Sequence, residues 1–244
     1  MNSTTLCLDF GNTRQKCAIF QEGILQDVVV LEDISIKAIK SLITSYYPSS
    51  VILSSVINHD KEIENYLIEY TKFHKLSHKS ALPFKIPVSK PDTVGADRLA
   101  ICAAAVDYFP DNHTLSIGLG TCITYNFTNK HHEFLGGSIS PGLQMRFKAM
   151  HQQTALLPMV EAEHNFPLVG YDTNTNLQSG VILGISKEID GIIEAYNEKY
   201  NNLKVLMTGG DMGFFMPHLK NKIVADPNLL FRGLYVINKL LPSQ

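Results

Sequence analysis

The sequence predicts an α/β protein made of two lobes of the same design. Short β-prone apolar segments alternate with segments of helical periodicity along the 244 residues. Each half opens with three consecutive strand segments, and a polar turn containing glycine follows the first strand of each half. A repeated order of elements indicates an internal duplication. We therefore expect an N-terminal lobe over residues 1–112 and a C-terminal lobe over residues 113–244, with a ligand-binding cleft between them.

The first half is predicted to begin with three strands and to continue with alternating helices and strands. The strands cover residues 4–8, 14–20 and 24–31. Residues 35–46 have helical spacing, residues 51–56 form a buried strand, Asn58 or Asp60 caps a second helix, and residues 73–76 form a brief strand. Three prolines predict a loop over residues 78–91. Asp92 is the expected N-cap of an alanine-rich helix that residues 111–113 close.

The second half repeats this order. Residues 114–121 are predicted to form a strand that leads into a Gly-Thr turn, and two more strands follow over residues 122–127 and 133–139. A glycine-rich segment then leads into a helix over residues 143–151. The longest helix should cover residues 177–200, because its apolar residues keep a helical stripe. A strand over residues 203–207, a weak strand over 222–225 and a final helix over 228–241 complete the chain.

Composition excludes several classes of function. The net charge is −2 and no run of Lys and Arg occurs, so we expect no nucleic-acid partner. No apolar segment approaches the ~20 residues of a membrane helix, and no signal peptide is indicated, so we expect no membrane partner. The four cysteines lie in apolar stretches without a C-x-x-C pair, which favours buried thiols in the cytoplasm; Cys7 and Cys17 can face each other across a hairpin.

The turn after the first strand has the residues of a phosphate-binding loop. Asp9 ends the strand and can order a hydrated Mg²⁺, while Gly11 lets the backbone approach a phosphate. Asn12 and Thr13 add short polar donors. An ordinary hairpin turn is the alternative interpretation. Two further turns of this kind follow strands, over residues 118–121 and 208–211, and the three together favour nucleotide binding.

These turns resemble those of the acetate kinase, sugar kinase, Hsp70 and actin superfamily, and the whole set of motifs resembles the type III pantothenate kinase family. The matching segments lie in family order at residues 9–13, 95–98, 120–121, 136–142, 154–158, 170–180 and 208–210. The resemblance implies two ribonuclease H-like lobes of the actin-like ATPase fold. It also implies ATP-dependent phosphorylation of pantothenate to 4′-phosphopantothenate, the first step of coenzyme A biosynthesis, by a homodimer that uses Mg²⁺ and a monovalent cation, K⁺ or NH₄⁺.

The resemblance also implies roles for individual residues. Asp97 matches the catalytic proton acceptor, which orients the attacking hydroxyl. Because Asp97 is expected near a helix N-terminus, its pKa should not be raised. The alternative to the catalytic role is that Asp97 caps the helix or forms a salt bridge at the surface. Arg98 matches a group that can hold the pantothenate carboxylate, with a structural ion pair to Asp97 or Asp9 as the alternative. The residues expected to bind nucleotide are Asp9, Phe10, Gly11, Asn12, Thr13, Lys16 and Thr121.

The pantothenate site is expected to include Val88, Gly95, Ala96, Asp97 and Arg98, with Thr173 contributed from across the dimer. N-capping of the following helix is the alternative role for Thr173.

Two positions depart from the family pattern. Gly118 stands where the family has the aspartate that binds the monovalent cation, so the cation ligand is left open between backbone carbonyls with water, Asn126 or Asp211, and loss of the site. Val88 stands where the family often has a tyrosine over pantothenate, a difference of one hydrogen bond of ~1 kcal/mol. These departures motivate two alternative functions: a non-catalytic regulator that binds nucleotide or pantothenate, and a kinase for another small acid or sugar.

Overall fold

The computed structural model describes residues 4–241, which form two compact units. The first unit contains residues 4–110, 132–134 and 228–241, and the second contains residues 111–131 and 135–227. The predicted division at residue 112 differs from these units at the end of the chain, because the last helix belongs to the first unit.

The elements follow the predicted order. In the first unit they are β1 (Thr4–Phe10), β2 (Gln15–Gln21), β3 (Ile24–Leu31), α1 (Ile36–Tyr46), β4 (Ser50–Ser55), α2 (Lys61–Tyr70), β5 (Lys72–Lys75) and α3 (Ala96–Tyr108). The next elements, which lie in the second unit except for the first two residues of β8, are β6 (Thr114–Leu119), β7 (Cys122–Asn129), β8 (Glu133–Pro141), α4 (Leu143–Gln153), α5 (Thr173–Gln178), α6 (Gly184–Lys199), β9 (Lys204–Thr208), α7 (Met212–Phe215) and β10 (Val224–Ala225). The chain then returns to the first unit as α8 (Leu229–Leu240).

The two units contain sheets of the same topology. The first sheet has the order β3-β2-β1-β4-β5, and the second has the order β8-β7-β6-β9-β10. In each, the central strand is antiparallel to the strand that follows it and parallel to its other neighbour. The structure therefore confirms the predicted α/β fold with two lobes of equivalent design.

Capping side chains explain where two of the helices begin. The Ser35 side chain accepts a hydrogen bond from the Ala38 amide at the start of α1, and Asp60 caps α2 through the Glu62 amide. The prediction that Asp92 caps the alanine-rich helix is wrong. Asp92 lies in a 3-10 turn over Pro91–Thr93, since proline fixes φ there, and Gly95 is the N-cap of α3.

Close backbone packing explains why α8 joins the first unit. A Cβ atom on Gly233 would lie 1.7 Å from the carbonyl oxygen of Ala100, so glycine is required where α8 meets α3. Ala103 and Ala105 of α3 are fully buried, and Leu234 and Ile237 of α8 belong to the same apolar cluster as Ala103. Small side chains on both helices permit this approach.

The helix after residue 170 is longer than the sequence predicts. It begins at Thr173 instead of residue 177 and passes through a π-helical turn over Ser179–Leu183 before α6. Asp172 is its N-cap and forms a capping box with Thr175. The alternative role of Thr173 as N-cap is therefore wrong.

The cysteines remain free thiols. Cys7 pairs with Ala18 and Cys17 pairs with Leu8 across β1 and β2, so the two sulfur atoms lie on opposite faces of the sheet, in different apolar clusters. Burial raises the pKa of both thiols. Over residues 4–241, the helices are too short or too polar to cross a lipid bilayer.

Candidate active site

Asp9 lies next to the last residue of β1, between Lys16 of β2 and Ser54 of β4. Paired residues of neighbouring strands place their side chains on the same face. The Ser54 hydroxyl donates a hydrogen bond to Asp9 Oδ1 at 3.2 Å. The pKa of Asp9 is raised to about 7, mainly by burial and also by the charge of Asp97, while Ser54 and Lys16 lower it in part. The structure thus brings Asp9, Lys16 and Asp97 close enough for their charges to interact.

Asp97 lies in the first turn of α3, and its position depends on Gly95. Its Oδ1 accepts a hydrogen bond from the Arg98 amide at 2.9 Å. A Cβ atom on Gly95 would lie 2.5 Å from this same oxygen, so glycine leaves room for the carboxylate. Burial raises the pKa of Asp97, while the Arg98 amide and guanidinium lower it in part. The expectation of an unraised pKa is wrong, because loss of solvent outweighs the helix N-terminus.

Arg98 is half-buried, and its guanidinium carbon lies 5.6 Å from the centre of the Phe134 ring. This cation–π contact orients the guanidinium plane. The positive charge also lowers the pKa of Asp97 in part, so the two side chains act on one another. Val88, Gly95 and Ala96 are also half-buried in this unit, and Val88 packs against the apolar cluster beneath α3.

The loop after β1 keeps its polar residues accessible. Asn12 and Thr13 are exposed, and the Gly11 amide donates to the Arg14 carbonyl at 3.3 Å. A Cβ atom on Gly11 would lie 3.0 Å from that carbonyl oxygen. Phe10 differs from its neighbours because its side chain is fully buried in the core. Only its backbone remains available to a nucleotide.

Sequence reasoning missed the residues that support this loop. The His59 ring packs edge-on against Phe10 with ring centres 5.3 Å apart. Its Nδ1 lies 3.1 Å from Ser55 Oγ, and its Nε2 lies 2.8 Å from Glu64, which also accepts a hydrogen bond from Lys75. The sequence predicts only that Asn58 or Asp60 caps the following helix, and it carries no motif that would indicate a role for His59.

In the second unit, the turn over residues 118–121 is held by backbone hydrogen bonds. The Gly120 amide donates to Cys122 O at 3.1 Å, and the Gly142 amide donates to Thr121 O at 3.1 Å. A Cβ atom on Gly142 would lie 2.3 Å from Gly120 O. Thr121 is exposed beside this contact. The glycine-rich segment after β8 therefore packs directly on the turn.

The third turn packs on the same strand end. The Asp211 amide donates to Leu119 O at 3.2 Å. Gly209 has φ +108°, and a Cβ atom there would lie 2.1 Å from that same oxygen. Two of the three turns that the sequence predicts to bind nucleotide therefore meet in this unit.

Sequence reasoning also missed Glu188, a half-buried carboxylate of the same unit. Glu188 of α6 accepts hydrogen bonds from Tyr125 at 2.9 Å, from Ser140 at 2.5 Å and from Arg146. Burial opposes ionisation, but these donors hold the pKa of Glu188 below its ordinary value. Arg146 also donates to Pro141 O at 2.9 Å, which ties Glu188 to the segment that ends at Gly142.

The raised pKa of Asp9 predicts how stability depends on pH. Between its ordinary value of 3.8 and about 7, the folded protein holds a proton on Asp9 that the unfolded chain releases. The contribution of Asp9 to the free energy of unfolding is therefore fully present below pH 3.8 and is lost as the pH rises through about 7. We expect Asp9→Asn to flatten this decline and Ser54→Ala to extend it to higher pH, as measured by urea unfolding across the range. Identical pH profiles for the wild type and Asp9→Asn would contradict the assignment.

Comparison with solved structures identifies the class of fold. The chain aligns with a protein from Campylobacter jejuni described as a Baf family transcriptional activator, at 21% identity and a TM-score of 0.60, covering 96% of this chain and 97% of that one. It aligns with a ROK hexokinase from Thermus thermophilus at 12% identity and a TM-score of 0.51, covering 96% and 98%. The fold of this chain is therefore similar to the folds of these two solved structures, one of which is a hexokinase.

Sequence comparison then gives the family. The family model for type III pantothenate kinase matches residues 5–195. A type III pantothenate kinase of Christiangramia forsetii is 40% identical over 242 residues, covering 98% of this chain and 99% of the relative. One from Bacteroides fragilis is 39% identical over 233 residues, covering 94% and 95%. The chain belongs to the type III pantothenate kinase family.

Proposed function

We propose that this protein catalyses ATP-dependent phosphorylation of pantothenate to 4′-phosphopantothenate, the first step of coenzyme A biosynthesis, in the cytoplasm. The observation that carries the proposal is the carboxylate of Asp97, in the Gly95–Arg98 segment. It is half-buried, and its charge acts on Asp9. A carboxylate in the first turn of a helix is well placed to accept a hydrogen bond from the attacking hydroxyl. Its raised pKa brings it closer to the working pH, where a general base is most effective.

The nucleotide is assigned to the loop after β1 and to Thr121. Exposed Asn12 and Thr13 offer donors to phosphate oxygens, and Lys16 beside Asp9 adds a positive charge. Asp9 fits Mg²⁺ held through water, since a partly exposed carboxylate near a phosphate loop is a common ligand of that ion. When bound, Mg²⁺ neutralises charge on the transferred phosphoryl group. Asp97 orients the attacking hydroxyl of pantothenate. Asp9 carries its negative charge above about pH 7, because its pKa is raised to about 7.

Arg98 is assigned to the pantothenate carboxylate. We expect Arg98→Gln to raise the KM for pantothenate roughly 10- to 100-fold, since a hydrogen bond to a charged group contributes about 1.5–3 kcal/mol. kcat should change less, because this carboxylate lies away from the reacting hydroxyl. The measurement is steady-state ADP formation.

Pantothenyl alcohol, which has a hydroxyl in place of the carboxylate, serves as the control substrate for Arg98. It should be used equally well by the wild type and Arg98→Gln. A similar loss with both substrates would mean that Arg98 supports the fold instead of binding the carboxylate.

A homodimer is proposed from the exposed apolar residues of the second unit. Leu156, Leu168, Val169 and Tyr171 are 74–92% exposed, which is costly in water unless another surface covers them. Thr173 is exposed at the end of this stretch. A partner subunit that covers the stretch can therefore take up Thr173 in the partner's own pantothenate site.

We expect Val169→Asp to shift the protein from dimer to monomer in sedimentation velocity and to raise the KM for pantothenate. Ile24→Asp is the matched control, because Ile24 is 66% exposed on the first unit. It should leave the dimer intact. A wild-type protein that sediments as a monomer at all concentrations would remove the dimer from the proposal.

A monovalent cation is the one cofactor of the resemblance that the residues present do not fit. Gly118 supplies no carboxylate. No step of the proposed reaction is assigned to such a cation.

The proposal is tested by pantothenate-dependent formation of ADP from ATP and Mg²⁺, with the phosphorylated product identified by mass spectrometry. Turnover separates a kinase from the non-catalytic regulator that Gly118 and Val88 suggest. A panel of sugars and small hydroxy acids separates pantothenate from other substrates of the same fold. Absence of turnover with pantothenate, together with turnover of another substrate, would overturn the proposal.

A further inference from the structure

The internal duplication places Gly118 at the position that Asp9 occupies in the first unit. Both residues lie next to the last residue of the central strand. Asp9 is flanked by Lys16 and Ser54, while Gly118 is flanked by Thr124 of β7 and Thr208 of β9. The first unit thus has a carboxylate at this position of its central strand, whereas the second unit has a glycine paired with two threonines.

Three carbonyl oxygens and one hydroxyl at this strand end already accept hydrogen bonds. Leu119 O accepts the Asp211 amide at 3.2 Å, Thr121 O accepts the Gly142 amide at 3.1 Å, and Cys122 O accepts the Gly120 amide at 3.1 Å. The Asn126 amide nitrogen donates to Thr124 Oγ1 at 3.3 Å, so an N–H group points at that hydroxyl. A cation needs several convergent oxygen ligands, and here the nearby carbonyls and one hydroxyl serve other donors.

We infer that this protein, if it is the kinase proposed above, works without a monovalent cation at the turn over residues 118–121, its second phosphate loop. The charge balance supports this inference. An aspartate with one bound K⁺ has no net charge, and a glycine with no cation has none either. The triphosphate therefore meets the same net charge in both arrangements, and Thr121 is exposed at this turn.

The experiment compares ADP formation in choline, sodium, potassium and ammonium chloride at equal ionic strength. For the wild type we expect rates in choline within about twofold of those in potassium, because salts of equal ionic strength screen charges almost equally. Gly118→Asp should become slow in choline and recover at least about tenfold in potassium, because an unpaired carboxylate repels the phosphates until a cation neutralises it. Gly118→Asn has the same size without the charge and should show no response to potassium.

A second measurement does not depend on catalysis. Calorimetric titration with a non-hydrolysable ATP analogue and Mg²⁺ should give the same Kd in choline and potassium for the wild type. If no salt supports turnover, the proposed function fails while this titration still tests the cation inference.

Strict potassium dependence of the wild type in either measurement would overturn the inference. Loss of that dependence in Asp211→Asn would then assign the carboxylate ligand to Asp211. A Gly118→Asp variant that responds to potassium no more than Gly118→Asn would also count against the inference.

Discussion

Asp97→Asn should lower kcat by about 10²–10⁴-fold, the usual contribution of a positioned general base. The amide keeps the size of the side chain but cannot accept the hydroxyl proton. Because Asp97 raises the pKa of Asp9, the variant should also lower the pKa of Asp9 and shift its titration to more acidic pH. Nucleotide affinity, measured by calorimetry with ATP and Mg²⁺, should change little.

Asp92→Asn is the matched control for Asp97. Asp92 lies five residues earlier in a 3-10 turn and is exposed, so its loss of charge should leave kcat unchanged. Full activity of Asp97→Asn, with the product confirmed as phosphopantothenate, would remove Asp97 from the catalytic role.

Gly142→Ala should disrupt the second phosphate loop. The backbone at Gly142 has φ −72°, which alanine also adopts, so the expected damage is steric. The added Cβ would lie 2.3 Å from Gly120 O and 2.5 Å from Thr121 O, and both atoms belong to the backbone. We expect a loss of about 1–3 kcal/mol in the free energy of unfolding, as for other overpacked sites. The KM for ATP should rise at least about tenfold as Thr121 is displaced.

Gly191→Ala is the control for Gly142. Gly191 is exposed within α6, and a Cβ atom there would meet nothing within 4 Å. This variant should be neutral or more stable by about 0.4–1 kcal/mol, because alanine loses less backbone entropy on folding. Unchanged ATP affinity in Gly142→Ala would show that the contact does not position the loop.

The order of elements and the chemistry at the strand ends could be predicted from sequence because both are local properties. Strand periodicity, turn glycines and capping side chains depend on neighbouring residues, as the caps at Ser35 and Asp60 show. The duplication was visible for the same reason, since each half repeats the same local order. Asp9 and Asp97 could be named from their motifs.

Long-range packing was not predictable in this way. Gly233 against Ala100 assigns α8 to the first unit, although the two residues are far apart in sequence. Glu188 joins β7, β8 and α4 through side chains from three elements. Neither contact leaves a periodic or motif-like signal.

The sequence by itself determined the α/β order, the family and the absence of a carboxylate at residue 118, and it predicted which residues bind phosphate. Tertiary structure alone decided that burial raises the pKa of Asp97 and raises that of Asp9 to about 7, and that three carbonyls near Gly118 accept backbone hydrogen bonds. The physical reason is that residue identity determines which groups are available, whereas burial and distance determine their charge state and partners.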